Sequence, residues 1–324
     1  MWAGTPLTAA SPARALLLAL LALALGPASG AAPSGVCDVT QPPYSARCDN
    51  ATDAAPAIQR ALNDAACAAV LIAAPLPCVS RALNLSAMSG RALLIAPGSE
   101  LAAWRDPRTY SLTAHNNMLL SATDGDGAWT GPHVRGFTLA GGGRVVGGGR
   151  AWWPLGETVV RPRTLWLPNC SDVTVANITI VDSPAWNLGF RGDNVSVSGV
   201  RVESGLETCG GYGSAPNTDG VNFGGHGLRV SSLWVHNGDD CIPITTGNDG
   251  TTSDVLVQGA HCECGVRGVA WCGSRWPAQR PLSRPPPPCP LNHLPSFPPP
   301  PRRPRADQWR RDLQPGRHGA RRDV

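Results

Sequence analysis

The chain has 324 residues, 42% of them hydrophobic, which is enough to bury a sizeable core. Its 37 Gly and 32 Pro exclude an architecture of long helices and favour many short strands and turns in one globular domain with tails. The net charge of +4 belongs to residues 276–324, where ten Arg face three Asp, so residues 1–275 are net −3; the basic balance says nothing about an acidic substrate in the folded part, and no nucleic-acid partner is expected.

Residues 1–31 have the pattern of a secretory leader. Arg14 precedes the apolar run Ala15 to Leu25, and Ala28-Ser29-Gly30-Ala31 supplies the small residues of a cleavage region. The run is shorter than the roughly 20 residues of a membrane span, so no stable membrane association is expected; an uncleaved anchor is the alternative. Secretion accounts for eleven cysteines, most of which can pair in an oxidising compartment, and the odd count leaves at least one over. Cys262-Glu263-Cys264 lacks the spacing of a zinc knuckle. Sequons at Asn50, Asn84, Asn169, Asn177 and Asn194 fit the same compartment.

Within the expected domain, residues 32–275, Asp53, Pro56 and the apolar spacing of Ala57, Ile58, Ala61 and Leu62 predict a short amphipathic helix over about residues 54–65. Strand-like runs follow at Val70-Leu71-Ile72, Leu83-Asn84-Leu85 and Leu93-Leu94-Ile95. Beyond the Gly-rich stretch 141–149 an eight-residue pattern, apolar-x-apolar-x-x-apolar-x-apolar, recurs. It appears at Val173, Val175, Ile178, Ile180; at Val195, Val197, Val200, Val202; at Leu228, Val230, Leu233, Val235; and at Val255, Val257, Ala260, Cys262. Each copy reads as two short strands with a corner between them. One such unit cannot bury its inner face, whereas a stack of them closes a continuous core. The expected fold is therefore all-β, a right-handed parallel β-helix. A β-sandwich has strands at similar spacing but no reason to repeat one pattern.

The same periodicity places the polar clusters. Within Asn217-Thr218-Asp219-Gly220 and Asn237-Gly238-Asp239-Asp240-Cys241, Asp219 and Asp239 are twenty residues apart, close to one coil, so these two are expected as neighbours on one face at the strand spacing of about 4.8 Å. Three carboxylates at close range cannot all ionise readily, and at least one pKa rises. Acid beside base is what glycoside hydrolysis requires. A plain turn or a calcium site is the other use of Asp-Asp among Gly and Asn.

At these residues, and at Arg161-Pro162 and Ser183-Pro184-Ala185-Trp186-Asn187-Leu188, the chain resembles the polygalacturonase family of glycoside hydrolases over roughly residues 45–265. The resemblance implies an inverting hydrolase acting on α-1,4-linked galacturonan in pectin, a secreted monomer of the cell wall that needs no cofactor and no metal. Carried over by motif, Asp239 is the general acid, Asp219 and Asp240 activate water, and Asn217 orients groups within the site. Two of the family's motifs are missing. Where a Gly-His-Gly is due, the chain reads Gly265-Val266-Arg267-Gly268, with Gly225-His226-Gly227 reading as a turn and His261 as a substitute histidine. An Arg-x-Lys substrate clamp is absent, and the chain contains no lysine.

Residues 276–324 hold fourteen prolines and are expected to be a disordered tail. Because composition changes where the histidine motif is due, the stretch after about Gly265 reads as a retained intron or a frameshift; an intact in-frame spliced message over residues 266–324 overturns this. An Arg/Pro-rich linker for anionic wall polymer is the alternative for the tail. For the domain, the alternatives are a non-catalytic carbohydrate-binding β-helix and a calcium-dependent pectate lyase.

Overall fold

The computed structural model describes residues 35–104, 106, 118–121, 132–158, 161–205, 215–263 and 269–271. The expected leader over residues 1–31 and the expected tail over residues 276–324 lie outside them. So do Cys264 to Gly268, the segment in which the family histidine is due.

The described strands pair in parallel and form a β-helix with three ladders. The first runs through β1 (Val36–Asp38), β2 (Ala69–Ile72), β5 (Ala92–Ile95), β9 (Thr138–Ala140), β11 (Arg163–Ala176), β13 (Leu188–Ser198), β15 (Val221–His236) and β17 (Ser253–Glu263). It stacks Cys37, Val70, Leu93, Leu139, Val175, Val197, Val230 and Val257 in one column. The second joins β3 (Cys78–Ser80), β6 (Glu100–Ala103), β10 (Arg144–Val146), β12 (Thr179–Val181) and β14 (Arg201–Glu203) to the ends of β15 and β17. Its inner column is Cys78, Leu101, Val145, Ile180, Val202, Val235 and Cys262.

The third ladder carries the site. It links β4 (Leu83–Asn84), β7 (Met118–Ser121), the first halves of β11, β13 and β15, then β16 (Ile242–Ile244) and β18 (Val269–Trp271). Leu165, Leu188 and Val221 stack inside it, as do Phe190, Phe223 and Ile244, all buried. A short β8 (Val134–Arg135) pairs with the middle of β11.

The four repeats read from sequence pair in the register that their spacing implies. Val173 faces Val195, Val195 faces Leu228, and Leu228 faces Val255. The two unpatterned positions in each repeat include the corner. Asn177, Gly199, Ser232 and Gly259 occupy it with φ of 49, 60, 49 and 64°. A second corner is built alike from Gly136, Asp172, Asn194, Gly227 and Asp254, at φ of 66, 56, 53, 81 and 55°. Asn, Asp and Gly tolerate this left-handed conformation best and fill every one of these corner positions except Ser232. The sequons at Asn177 and Asn194 fall on these exposed corners. Gly225-His226-Gly227 is a corner inside β15: a Cβ on Gly225 would lie 1.9 Å from the Gly192 carbonyl oxygen, so neither flanking glycine is spare.

The predicted helix is α1 (Ala55–Asn63), with Pro56 in its first turn. Asp53 accepts the Ala55 N–H at 3.0 Å, one position earlier than a side-chain N-cap. Ile58, Ala61 and Leu62 are buried in the core. Two disulfides staple this end, Cys37–Cys67 and Cys48–Cys78, and Cys241–Cys262 joins the last coils; Cys170 is a buried free thiol. Cys262 is therefore no thiolate for zinc. At the other end Val255, Val257 and Ala260 of β17 are half-buried, and Leu256 is 45% exposed.

Arg91 is the buried cation that closes α1. Its guanidinium donates to the carbonyls of Ala61, Leu62 and Asp64 in the last turn, and to Cys67 and Ala87, at 2.6–3.2 Å. A cation there satisfies carbonyls that the helix leaves unpaired and complements its dipole. Arg91→Met should lower stability by about 3 kcal/mol or more in equilibrium urea unfolding, because several buried acceptors lose their donors. Exposed Arg60, which also donates to carbonyls, should cost about 1 kcal/mol or less when changed to Met.

Candidate active site

The site lies at the corner that opens the third ladder in two successive coils. Gly220 N–H donates to the Asp240 carbonyl at 3.0 Å and Val221 N–H to that of Cys241 at 2.9 Å, so the register neighbour of Asp219 is Asp240 and not Asp239 as the offset suggested, Asp239 standing on the turn before the ladder resumes. One coil earlier, Asn187 N–H donates to the Asp219 carbonyl at 2.9 Å, and before that Thr164 N–H to the Trp186 carbonyl. Arg163, Trp186, Asp219 and Asp240 therefore form one column.

Buried side chains hold the corner open. Thr218 Oγ1 donates to the Ala215 carbonyl and accepts the Gly238 N–H at 2.9 Å. Its own carbonyl accepts Asn187 Nδ2 at 2.9 Å and Asn237 Nδ2 at 2.8 Å. Asn237 Nδ2 also reaches the Asp240 carbonyl, and Ser204 Oγ donates to Asn187 Oδ1. The backbone here leaves the ladder to expose carboxylates, and these amides supply the partners that the ladder would have given.

Asp239 sits above this network. Its Oδ2 accepts the Asn217 N–H at 3.1 Å and its Oδ1 the Asp240 N–H at 2.9 Å. Asn217 adopts φ 57°, and its Oδ1 accepts from Arg161. Arg161, buried, also donates to the Pro184 and Pro216 carbonyls, which ties the Asn217 turn to the preceding coil. Gly238 packs against the turn: a Cβ there would lie 2.3 Å from the Ala215 carbonyl oxygen.

The structure brings all four predicted site residues together, with different exposures. Asp219 is 8% exposed, whereas Asp239, Asp240 and Asn217 are half-buried. Burial pushes the Asp219 carboxyl up to about 7, and the charges of Asp239 and Asp240 push the same way. The proposed substitute His261 is not brought to this corner. Its Nε2 pairs with Glu263 Oε1 at 2.6 Å, in register with Trp234. His226 also serves elsewhere, between Ser253 Oγ at 2.8 Å and Asp249 Oδ2 at 2.9 Å.

Sequence reasoning missed Thr218, Asn187 and Asn237 as the frame, and Arg163 beside it. The Arg163 guanidinium lies 3.9 Å from the Trp186 ring centroid and 4.9 Å from that of Trp166. Burial lowers its pKa to about 10, partly offset by the Asp219 carboxylate. The signal was one of register: Leu165 faces Leu188, and counting back two residues sets Arg163 beside Trp186.

The sequence profile described as glycosyl hydrolases family 28 matches residues 95–270, more than half of the chain. The chain belongs to this family. It is similar to the polygalacturonase of Chamaecyparis obtusa, 30% identical over 135 residues that make up 38% of this chain and 25% of that protein. It is also similar to the probable endopolygalacturonase I of Aspergillus terreus, 25% identical over 256 residues, 76% of this chain and 61% of the other. The family 28 chain spans about a quarter of the length of the first curated relatives it matches, from Arabidopsis thaliana, Chamaecyparis obtusa and Juniperus ashei. Its fold is like that of the Erwinia carotovora polygalacturonase, with a TM-score of 0.56 and 19% identity over 75% of this chain and 69% of that one. The exopolygalacturonase of Yersinia enterocolitica gives 0.54 and 18%, over 70% of this chain and 48% of that one.

Asp219 couples the site to stability. Its proton is held more tightly in the folded chain than at its ordinary value of 3.8, so its contribution is complete below about pH 4 and is lost as pH rises through about 7. The loss is at most about 4 kcal/mol at 1.36 kcal/mol per unit. Urea unfolding between pH 4 and pH 8 should show this decline in the parent chain, and Asp219→Asn should flatten it; equal slopes in the two would place the proton elsewhere.

Proposed function

We propose that this chain is a secreted, monomeric polygalacturonase that hydrolyses the α-1,4 linkages of galacturonan with inversion at the anomeric carbon. The observation that carries the reading is the pairing of Asp219 and Asp240 across one coil-to-coil step, with Asp239 tied to the Asn217 turn between them. Three carboxyl groups share one corner, and burial keeps a proton on the set near neutral pH. Disulfides and sequons on exposed corners support an oxidising, extracellular compartment. No helix among the described residues is long and apolar enough to cross a membrane.

In the proposed mechanism Asp239 protonates the glycosidic oxygen, and Asp219 and Asp240 together orient and deprotonate the attacking water. Inversion needs room for that water, with acid and base about 6.5–9.5 Å apart. In the unliganded chain, burial puts the proton on Asp219, so substrate binding must move it to Asp239 before reaction. A proton passed from one carboxyl group of the corner to its neighbour needs no outside donor. Asn217 and Arg161 keep Asp239 aimed while this happens.

The test is reducing-end release from polygalacturonic acid by the purified chain at mildly acidic pH, with chelator present. Activity should survive chelation and fall by about 10²-fold or more in Asp239→Asn, the range expected for a general acid. On an aryl galacturonide with an acidic phenol as leaving group, Asp239→Asn should lose far less, because that group departs without protonation. A similar loss on both substrates would remove Asp239 from the acid role. A folded, soluble chain without activity would move the function to carbohydrate binding, and unsaturated products lost on chelation would select a lyase.

A further inference from the structure

Between β16 and β17 the chain makes a strap, Thr245 to Ser253, that no step of the proposed mechanism uses. Its sequence, Thr-Thr-Gly-Asn-Asp-Gly-Thr-Thr-Ser, offers no large apolar side chain to bury and a single charge, Asp249. Polar contacts therefore hold it down. Asn248 Nδ2 reaches back to the Pro168 carbonyl of β11, two coils before β15, at 2.9 Å. Thr252 Oγ1 accepts the Gly225 N–H at 3.1 Å and donates to the Thr245 carbonyl. The strap lies close on β15: a Cβ on Gly224 would stand 2.4 Å from the Thr246 carbonyl oxygen, and one on Gly247 would stand 2.8 Å from Gly225 Cα.

His226 of β15 meets the one charge of the strap. Its Nε2 pairs with Asp249 Oδ2 at 2.9 Å, and its Nδ1 with Ser253 Oγ at 2.8 Å. Thr251 aims the carboxylate, donating to it from its N–H at 2.9 Å and from its hydroxyl at 2.8 Å. From β13, Asp193 accepts the His226 backbone N–H at 3.2 Å and adds a second negative charge. Further along β15, Arg229 is taken up by Asp254 at 2.6 Å. The charged ring donates from both nitrogens; the neutral ring donates from one and accepts the Ser253 hydroxyl at the other. Deprotonation thus keeps both bonds and removes the attraction to Asp249. The bond to Asp249 raises the His226 pKa above its ordinary 6.5, and the charges of Asp249 and Asp193 push the same way. The stabilisation is therefore complete below about pH 6.5 and is lost as pH rises through the raised value.

The strap matters because of the strand it follows. β16 begins two residues after Asp240, and Pro243 at its centre has no N–H to give to β15. Before the strand, Cys241 is held by its disulfide. After it, Thr245 N–H donates to the Phe223 carbonyl at 2.8 Å, and Thr252 holds the Thr245 carbonyl. We propose that His226 is the clasp of the strap: charged, it binds Asp249, pins residues 245–252 to β15 and so braces the far end of the strand behind Asp240, and it slackens as the ring gives up its proton. This device is the same whatever reaction the carboxylates perform.

The experiment is amide hydrogen exchange of the full chain, read by mass spectrometry over residues 242–253 at about pH 5.5 and about pH 8 and corrected for the intrinsic pH dependence of exchange. Protection of the strap should fall about two- to fivefold between the two, the range of an exposed ion pair, and added salt at about 0.5 M should shrink that fall. His226→Gln and Asp249→Asn should each lower protection at the acidic pH and abolish the fall, whereas Ser253→Ala should keep it. Because His226→Gln retains Asp219, a fall that survives in this variant belongs to the carboxyl corner and would overturn the clasp. Equal protection of the parent strap at both pH values would overturn it as well. Exchange needs no substrate, so neither result bears on the hydrolase reading.

Discussion

Thr218 is the residue on which the site's geometry depends. Its carbonyl accepts amides from Asn187 on one neighbouring coil and Asn237 on the other, and its hydroxyl links Ala215 to Gly238. One buried residue, through its carbonyl and its hydroxyl, thus spans three coils at the point where the parallel ladder is interrupted. A β-helix cannot present two adjacent carboxylates from an unbroken strand, because successive side chains alternate in and out. The chain must leave the ladder, and each backbone group it unpairs there has to be satisfied inside. The Thr218 network is that compensation.

From this frame the electrostatics follow. Because the Asp219 backbone is pinned to Asn187 below and Gly220 to Asp240 above, its carboxyl cannot swing out to water and stays nearly enclosed. Asp239, on a half-open turn, instead receives two backbone N–H groups. Burial and neighbouring charge act on three chemically identical groups and make them unequal. Arg161 contributes from a distance by holding the Asn217 turn whose N–H reaches Asp239.

How legible this was depended on whether a feature repeats. The coils from Val173 onward could be read because one eight-residue pattern returns, and their register in space is the one that the spacing implied. The earlier coils obey the same packing, with Leu93 over Val70 and Leu139 over Leu93, yet their intervals are uneven and no fixed period exposes them. The carboxylates were legible through their residue types and offset. Thr218, Asn187 and Asn237 were not, since Asn and Thr in a Gly-rich setting read as turn formers, and only the stacked coils show whose carbonyls they reach. His226 shows the reverse error that pattern invites: its flanking glycines fit a catalytic motif, but stacking on Gly192 and the left-handed corner at Gly227 account for both. His261 likewise has its partner in Glu263.

The corner's placement near the last described coils sets a further constraint. Cys241 follows Asp240 directly and is bonded to Cys262 of β17, so the strand that flanks the carboxylates on their C-terminal side is fixed covalently. Asn237 N–H donates to the Glu263 carbonyl, next to that disulfide, so the turn that carries Asp239 and Asp240 is joined to β17 by a backbone bond and a covalent one. Asn237 in turn holds the Thr218 and Asp240 carbonyls, and the disulfide thus fixes the register of the amide frame as well as that of the strand.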